Sequence, residues 1–260
     1  MEAVCVNDAR MLYLYGFVAA PVPLDGLFGV EDNTRVELVD AGEFACIVSH
    51  VPASEYGSRR ESWNAAAQMD WVTPRAWRHH EVIRQVHQET TVIPLKFGTL
   101  CSSIDDLRDL LGRRADAVAS LLAQFRGKDE WSLAVSVDAA TVGSDLHARD
   151  PELLVLTAEE RTLPAGRAYF VRKRITARTA ELLAQHVAAV ADTVFARLTS
   201  QGLAIVPDPC GTTAAILVDR TRFADFAQTL STLEHEHRAS DLLLEVRGPW
   251  APYSFVTALD

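Results

Sequence analysis

The chain is short of the residues that most often announce chemistry. Its 260 residues hold four cysteines, Cys5, Cys46, Cys101 and Cys210, scattered with no CxxC pair. That excludes a zinc ribbon and a thioredoxin-like motif. Single scattered thiols fit a reducing cytosol, where they behave as small hydrophobes. Positive charge is also scarce: 25 Lys and Arg against 35 Asp and Glu give a net charge of −10. Phosphate backbones need a basic surface, so a nucleic-acid partner is not expected. No uncharged apolar run reaches the ~18 residues of a membrane span. Met1–Asp8 lacks a basic n-region and a long apolar run, which predicts no signal peptide. There is no Gly-x-Ser-x-Gly elbow, no Walker loop and no Gly-x-Gly-x-x-Gly fingerprint.

The remaining candidates for chemistry are weak. Histidines are densest at His79, His80 and His87. A zincin needs His-Glu-x-x-His, and the residue four after His80 is Arg84. His80 and His87 would stand ~10 Å apart along a helix, too far for one ion. These histidines read as helix-surface residues, or as one packed under a sheet. His235 and His237 fall on different helix faces. A diffuse catalytic site around His79, His80 and Cys101 has no local feature to support it, and no catalytic activity, metal or cofactor is predicted. Arg172-Lys173-Arg174 is the one basic run. It reads as a solvated helix start or as a patch for an acidic partner; cations are unfavourable at a helix N-terminus, which hints at another use.

Patterning predicts α+β architecture. Residues 11–18 are aromatic and β-branched and read as a buried strand. Residues 34–39 and 43–50 read as a hairpin. Residues 61–90 read as helix in two pieces, with Thr73 as N-cap and Pro74 in the first turn. Residues 91–100 read as one strand with Pro94 inside it. Ser103 and Asp106 form a capping box ahead of a helix striped by Ile104, Leu107, Leu111, Val118, Leu122 and Phe125, which Gly127 ends. In the second half, residues 131–137, 203–206, 213–218 and 242–246 read as strands. Helices are expected over about 174–200 and around Phe223, Phe226, Leu230 and Leu233. Residues 138–167 show little pattern and read as broken helix and loop. The order is βαββαβ, a ferredoxin-like plan with 131–137 and 213–218 central. Two domains follow, each a mostly antiparallel sheet with helices. Residues 1–128 form a modified version of the plan, 129–247 the ferredoxin-like domain, and 248–260 an aromatic and proline-rich tail packed on the body.

The tail reads Gly248-Pro249-Trp250-Ala251-Pro252-Tyr253-Ser254-Phe255-Val256. Three aromatics there are costly to leave in water, so they lie against the chain's own domains or against a partner. Together with the opening Tyr13-Leu14-Tyr15-Gly16, with Val92-Ile93-Pro94-Leu95-Lys96-Phe97-Gly98-Thr99 and with Gly166-Arg167-Ala168-Tyr169-Phe170-Val171-Arg172-Lys173-Arg174, this tail resembles the gas vesicle protein family GvpF/GvpL over essentially the whole chain. Lys96 stands where Arg is more usual, and Ala251 where a second Pro is common. The resemblance implies a non-enzymatic accessory or minor structural protein of gas vesicles in the cytoplasm. It implies the hydrophobic shell protein GvpA as partner, with other accessory proteins besides, and a role in keeping that subunit from aggregating. Trp250, Tyr253, Phe255, Arg172, Lys173 and Arg174 are the candidate partner-binding residues. A small-molecule-sensing module is the alternative, on analogy of fold alone.

Overall fold

A computed structural model describes residues 9–19, 21–59, 69–237 and 242–256. Cys5, the Met1–Asp8 segment, residues 61–68 of the expected helix and residues 257–260 of the tail lie outside the described residues. The chain is a mixed helix-and-sheet protein that divides into two compact units. Unit 1 is Met1–Glu130 with Pro249–Asp260, and unit 2 is Trp131–Gly248.

Unit 1 is built on strand β1 (Arg10–Val18), whose last seven residues are all buried. Its sheet also holds β2 (Glu37–Asp40), β3 (Ala45–Pro52), β4 (Val92–Pro94) and β5 (Leu100–Cys101). The order is β2-β3-β1-β4, with β5 also pairing β1. β1 runs antiparallel to β3 from Arg10 opposite Pro52 to Val18 opposite Ala45, with an irregularity between Leu14 and Gly16. Tyr15 sits in that bulge, and its carbonyl accepts the Leu95 N–H at 2.8 Å. Helix α1 (Ala53–Arg59) follows β3. Helix α2 (Met69–Glu89) buries His79, Val82, Ile83, Val86 and His87. Helix α3 (Ile104–Phe125) buries Leu107, Leu111, Val118, Leu121, Leu122 and Phe125. Ser103 caps α3: its Oγ accepts the Asp106 N–H at 3.1 Å and donates to the Asp106 carboxylate at 2.9 Å.

Two expectations for unit 1 fail for local reasons. Thr73 is not an N-cap, because α2 is already under way at Met69 and runs through Pro74. In the second turn the proline forfeits only the bond its N–H would make to the Asp70 carbonyl, a loss the buried face downstream outweighs. The expected strand over 91–100 is two strands, β4 and β5. Between them Lys96 accepts both the N–H and the Oγ1–H of Thr99, and Gly98 turns the chain at φ 81°.

Unit 2 holds most of β6 (Lys128–Val137), then α4 (Ala139–Arg149), α5 (Pro151–Thr162), α6 (Ala165–Ser200), β7 (Ala204–Pro207), β8 (Thr213–Asp219), α7 (Phe223–Glu236) and most of β9 (Leu242–Trp250). The sheet order is β7-β8-β6-β9, so β8 and β6 are central. Its core joins Leu133 and Val135 with Val190, Val194 and Leu198 of α6, Ile216 and Val218 of β8, and Phe226, Leu230 and Leu233 of α7. Trp131 stacks on Phe223 with ring centroids 4.4 Å apart.

Here the differences from expectation are larger. Residues 138–167 are helical for most of their length. Asp138 caps α4 by accepting the Ala140 N–H at 2.9 Å, and Asp150 caps α5 by accepting the Leu153 N–H at 2.9 Å, with Pro151 in the first turn. Helix α6 begins at Ala165, not near 174. Arg172, Lys173 and Arg174 therefore lie two turns inside it rather than at its start. The last strand continues to Trp250, so Gly248-Pro249-Trp250 belongs to β9 and not to the segment packed on the body after it. An edge strand tolerates Pro249, whose missing N–H needs no ladder partner there.

Candidate functional site

In unit 1 the sheet and α2 meet at a buried polar node. Tyr13 comes from β1, His79 from α2 and Gly98 from the turn after β4. The Gly98 N–H donates to Tyr13 Oη at 3.0 Å, and Tyr13 Oη lies 3.0 Å from His79 Nδ1. His79 Nε2 lies 3.1 Å from the Leu95 carbonyl. A carbonyl only accepts, so Nε2 carries the proton and Nδ1 accepts from the tyrosine. Every polar atom of the node is then satisfied while the imidazole is neutral. Burial holds that state, lowering His79 to about 4 and raising the Tyr13 hydroxyl well above its usual range. Phe97 closes the node edge-on to both rings. The Pro94–Thr99 segment is thus the strap over the node, and the positive φ of Gly98 aims its N–H inward.

Residues 251–256 seat on the same unit. Ala251 is in the core that contains Tyr13 and Ile83, and Tyr253 packs against that core. Trp250 and Tyr253 lie over His80, with centroids at 5.3 and 6.2 Å. The Glu130 carboxylate, only 8% exposed, accepts both the N–H and the Oγ–H of Ser254 at 2.8 Å. Burial raises Glu130, and the two Ser254 bonds partly offset it. Phe255 is half-buried in a short 3-10 turn. Unit 1 also holds a cleft of about 470 Å³ whose walls include Phe28, Gly29, Asp32, Trp77, Arg78 and Glu81. Phe28 is 56% and Trp77 65% exposed. Its charges are matched in place, with Arg78 on Asp32 and Arg84 on Glu81 at 2.5 Å.

In unit 2 the exposed feature is the first half of α6. Tyr169 and Phe170 are 51% and 68% exposed and meet edge to face at 5.6 Å. Lys173 lies over the Tyr169 ring at 5.5 Å. Arg172 pairs with Glu160 at 2.8 Å, and Arg174 approaches Glu152 at 4.0 Å. Tyr169, Arg172, Lys173, Thr176, Ala177 and Ala180 line an open groove of about 680 Å³.

Trp250 and Tyr253 are therefore brought together at His80, while Arg172, Lys173 and Arg174 share α6 with the aromatic pair Tyr169 and Phe170. Sequence reasoning missed Tyr13, Glu130, Phe28 and Trp77 as site-forming residues. The adjacency of Tyr169-Phe170 to a basic run was the one available signal for the α6 face. Among the described residues, no three His, Cys, Asp or Glu side chains stand together as a metal-ligand set, and no helix is long and apolar enough to cross a membrane.

A family model described as gas vesicle synthesis protein GvpL/GvpF matches residues 11–257. The chain belongs to the GvpL/GvpF family. It is 27% identical to gas vesicle protein L of Streptomyces sp. (strain CB03234), over 96% of this chain and 94% of that protein. It is 24% identical to gas vesicle protein F of the same organism, over 94% and 98%. In fold it is similar to the crystal structure of GvpF from Anabaena sp. PCC7120, with TM-score 0.64 and 17% identity over 95% of this chain and 96% of that one. GvpF from Microcystis aeruginosa gives TM-score 0.60 and 19% identity over 94% and 98%. The family match, running to residue 257, takes in both units and the segment after β9.

Proposed function

We propose that this protein is a non-catalytic accessory or minor structural protein of gas vesicles, acting in the cytoplasm. It binds the small hydrophobic shell protein GvpA and keeps it from aggregating while the shell nucleates. The family match over residues 11–257 carries the reading. The surface supports it: Phe28 and Trp77 in unit 1 and Tyr169 and Phe170 in unit 2 leave aromatic area open to water, where an apolar partner gains by covering it. Of the two candidate contact surfaces, the α6 face is the better supported. Tyr169 and Phe170 are more than half exposed, whereas Trp250 and Tyr253 already pack around His80.

The test dilutes denatured GvpA into buffer with and without this protein and follows light scattering. Stoichiometric protein is expected to suppress scattering and to co-migrate with GvpA on gel filtration. Unchanged scattering with no co-migration refutes the reading. Washing purified vesicles with urea distinguishes the two roles: retention marks a shell component, and absence before washing marks an assembly factor.

A further inference from the structure

Helix α5 shows how a helix sits on α6. It buries Leu153 and Leu156 and presents carboxylates to the cations of its neighbour. Glu160 accepts from Arg172 at 2.8 Å, Asp150 from Arg178 at 3.0 Å, and Glu152 stands 3.5 Å from Arg178. The α6 residues buried here are Ala168 and Val171. At 100° per residue, Tyr169, Lys173, Thr176 and Ala180 lie on the opposite face, and all four are exposed. From Arg172 to Ala189 no residue of α6 is buried, five turns of a 36-residue helix. Charge is unevenly placed as well. Between Arg161 and Arg178 the sequence carries six cations and no acid; Arg172, Arg174 and Arg178 face carboxylates of the α5 segment, and Lys173 lies over the Tyr169 ring.

We infer that this open face of α6 is a docking groove for an acidic amphipathic helix of a partner protein. Its carboxylates meet Lys173, since Arg172 is already held by Glu160 of α5, and its apolar side chains lie along Tyr169, Ala177 and Ala180. The inference rests on reading this chain as one that holds a partner protein, and it names the chemistry of the segment held. Charge complementarity supplies the acidic end, and α5 supplies the precedent on the other flank. Thr176, Ala177 and Ala180 let a second backbone approach to the 8–10 Å of packed helices. A lipid surface is a poorer fit, because interfacial helices insert a row of large apolar side chains and this face offers only the adjacent Tyr169 and Phe170. Acids in the first turn of a partner helix are also favoured by its own dipole.

The probe is a fluorescein-labelled helical peptide with glutamates in its first two turns and leucines on one face. Its twin carries lysines in place of the glutamates. The glutamate peptide is expected to bind the full-length protein at least about tenfold more tightly than the lysine peptide, a difference of one 1.4 kcal/mol step. Lys173→Glu and, separately, Ala180→Arg are expected to weaken it by about tenfold or more, with circular dichroism and Tm unchanged because both side chains face water. Equal binding of the two peptides overturns the inference. So does undiminished binding by Ala180→Arg, or retention of the protein on phosphatidylglycerol vesicles in preference to the peptide. GvpA scattering separates this from the function proposed above. Protein that binds the glutamate peptide but leaves GvpA aggregation unchanged sinks the proposed function and keeps the groove. Protein that suppresses aggregation but does not discriminate the peptides sinks the groove alone.

Discussion

Replacing His79 by glutamine removes a titrating group while keeping its hydrogen bonds within reach. Glutamine can donate to the Leu95 carbonyl and accept from Tyr13 Oη, the two bonds the neutral ring makes. In the unfolded chain His79 titrates near 6.5, and in the folded protein burial holds it at about 4. Between those values the unfolded state binds the extra proton. The stability His79 contributes is therefore full above pH 6.5 and is lost as pH falls toward 4. At 1.36 kcal/mol per pKa unit the loss is about 3 kcal/mol. Glu130 has the opposite sign, since its raised carboxyl favours folding as pH falls. It is common to both proteins and cancels in the comparison, while His80, which burial also lowers, adds a smaller repulsion to the His79 shift. The assay is urea unfolding followed by tryptophan fluorescence at a series of pH values from about 7.5 to 4.5. At neutral pH the variant is expected to be about 1–2 kcal/mol less stable, having lost ring contacts with Tyr15 and Phe97. On acidification it is expected to lose about 2–3 kcal/mol less than wild type, so the two curves converge. Curves that stay parallel within about 0.5 kcal/mol would refute the neutral, proton-excluding node.

Tyr13→Phe tests the same node from the strand side. It leaves the Gly98 N–H and His79 Nδ1 buried without their partner, at a cost of about 2–4 kcal/mol read by urea denaturation. Gly29→Ala is expected to destabilise by about 1–3 kcal/mol, because its Cβ would stand 2.6 Å from Tyr15 Oη and 2.7 Å from Ser49 Oγ and break their mutual bond; a Tm within a degree of wild type would contradict this. Ser254→Ala leaves the buried Glu130 carboxylate with one donor fewer. About 1 kcal/mol of stability should go, and residues 251–256 should exchange amide hydrogens faster, whereas unaltered exchange would remove Ser254 from the latch.

Elements with a densely buried stripe were legible from sequence. β1 is nearly all buried and reads as an aromatic, β-branched run, while α3 and α7 carry apolar residues at intervals of three and four. The elements that escaped notice bury little. α4 buries Val142 and Gly143, α5 only Leu153 and Leu156, and α5 shows Leu154 and Val155 to solvent. Their apolar residues therefore trace no stripe, and the cap residues Asp138 and Asp150 were the better signal. Pro164 and Gly166 disguised the start of α6. The site divides the same way. The aromatic tail and the Pro94–Thr99 strap stand out as local composition. The Tyr13–His79 bond joins residues 66 apart, and the Glu130–Ser254 bond residues 124 apart, so no window of sequence contains either pair.

The division of the chain between the units sets an order of folding during synthesis. Trp131–Gly248 is one uninterrupted segment, whereas Ala251, Tyr253 and Ser254 join a unit whose other residues end at Glu130. At a translation rate of roughly 5–20 residues per second, the N-terminal sheet waits on the order of ten seconds for the piece that completes its core and supplies the Glu130 donors. Throughout that interval the Glu130 carboxylate and the apolar seat of Ala251 face water or a chaperone. A stop codon just after β9 would yield a complete second unit attached to an unfinished first one. Damage near the C-terminal residues is thus felt in the N-terminal sheet, and an isolated first unit requires residue 130 to be joined directly to residue 249.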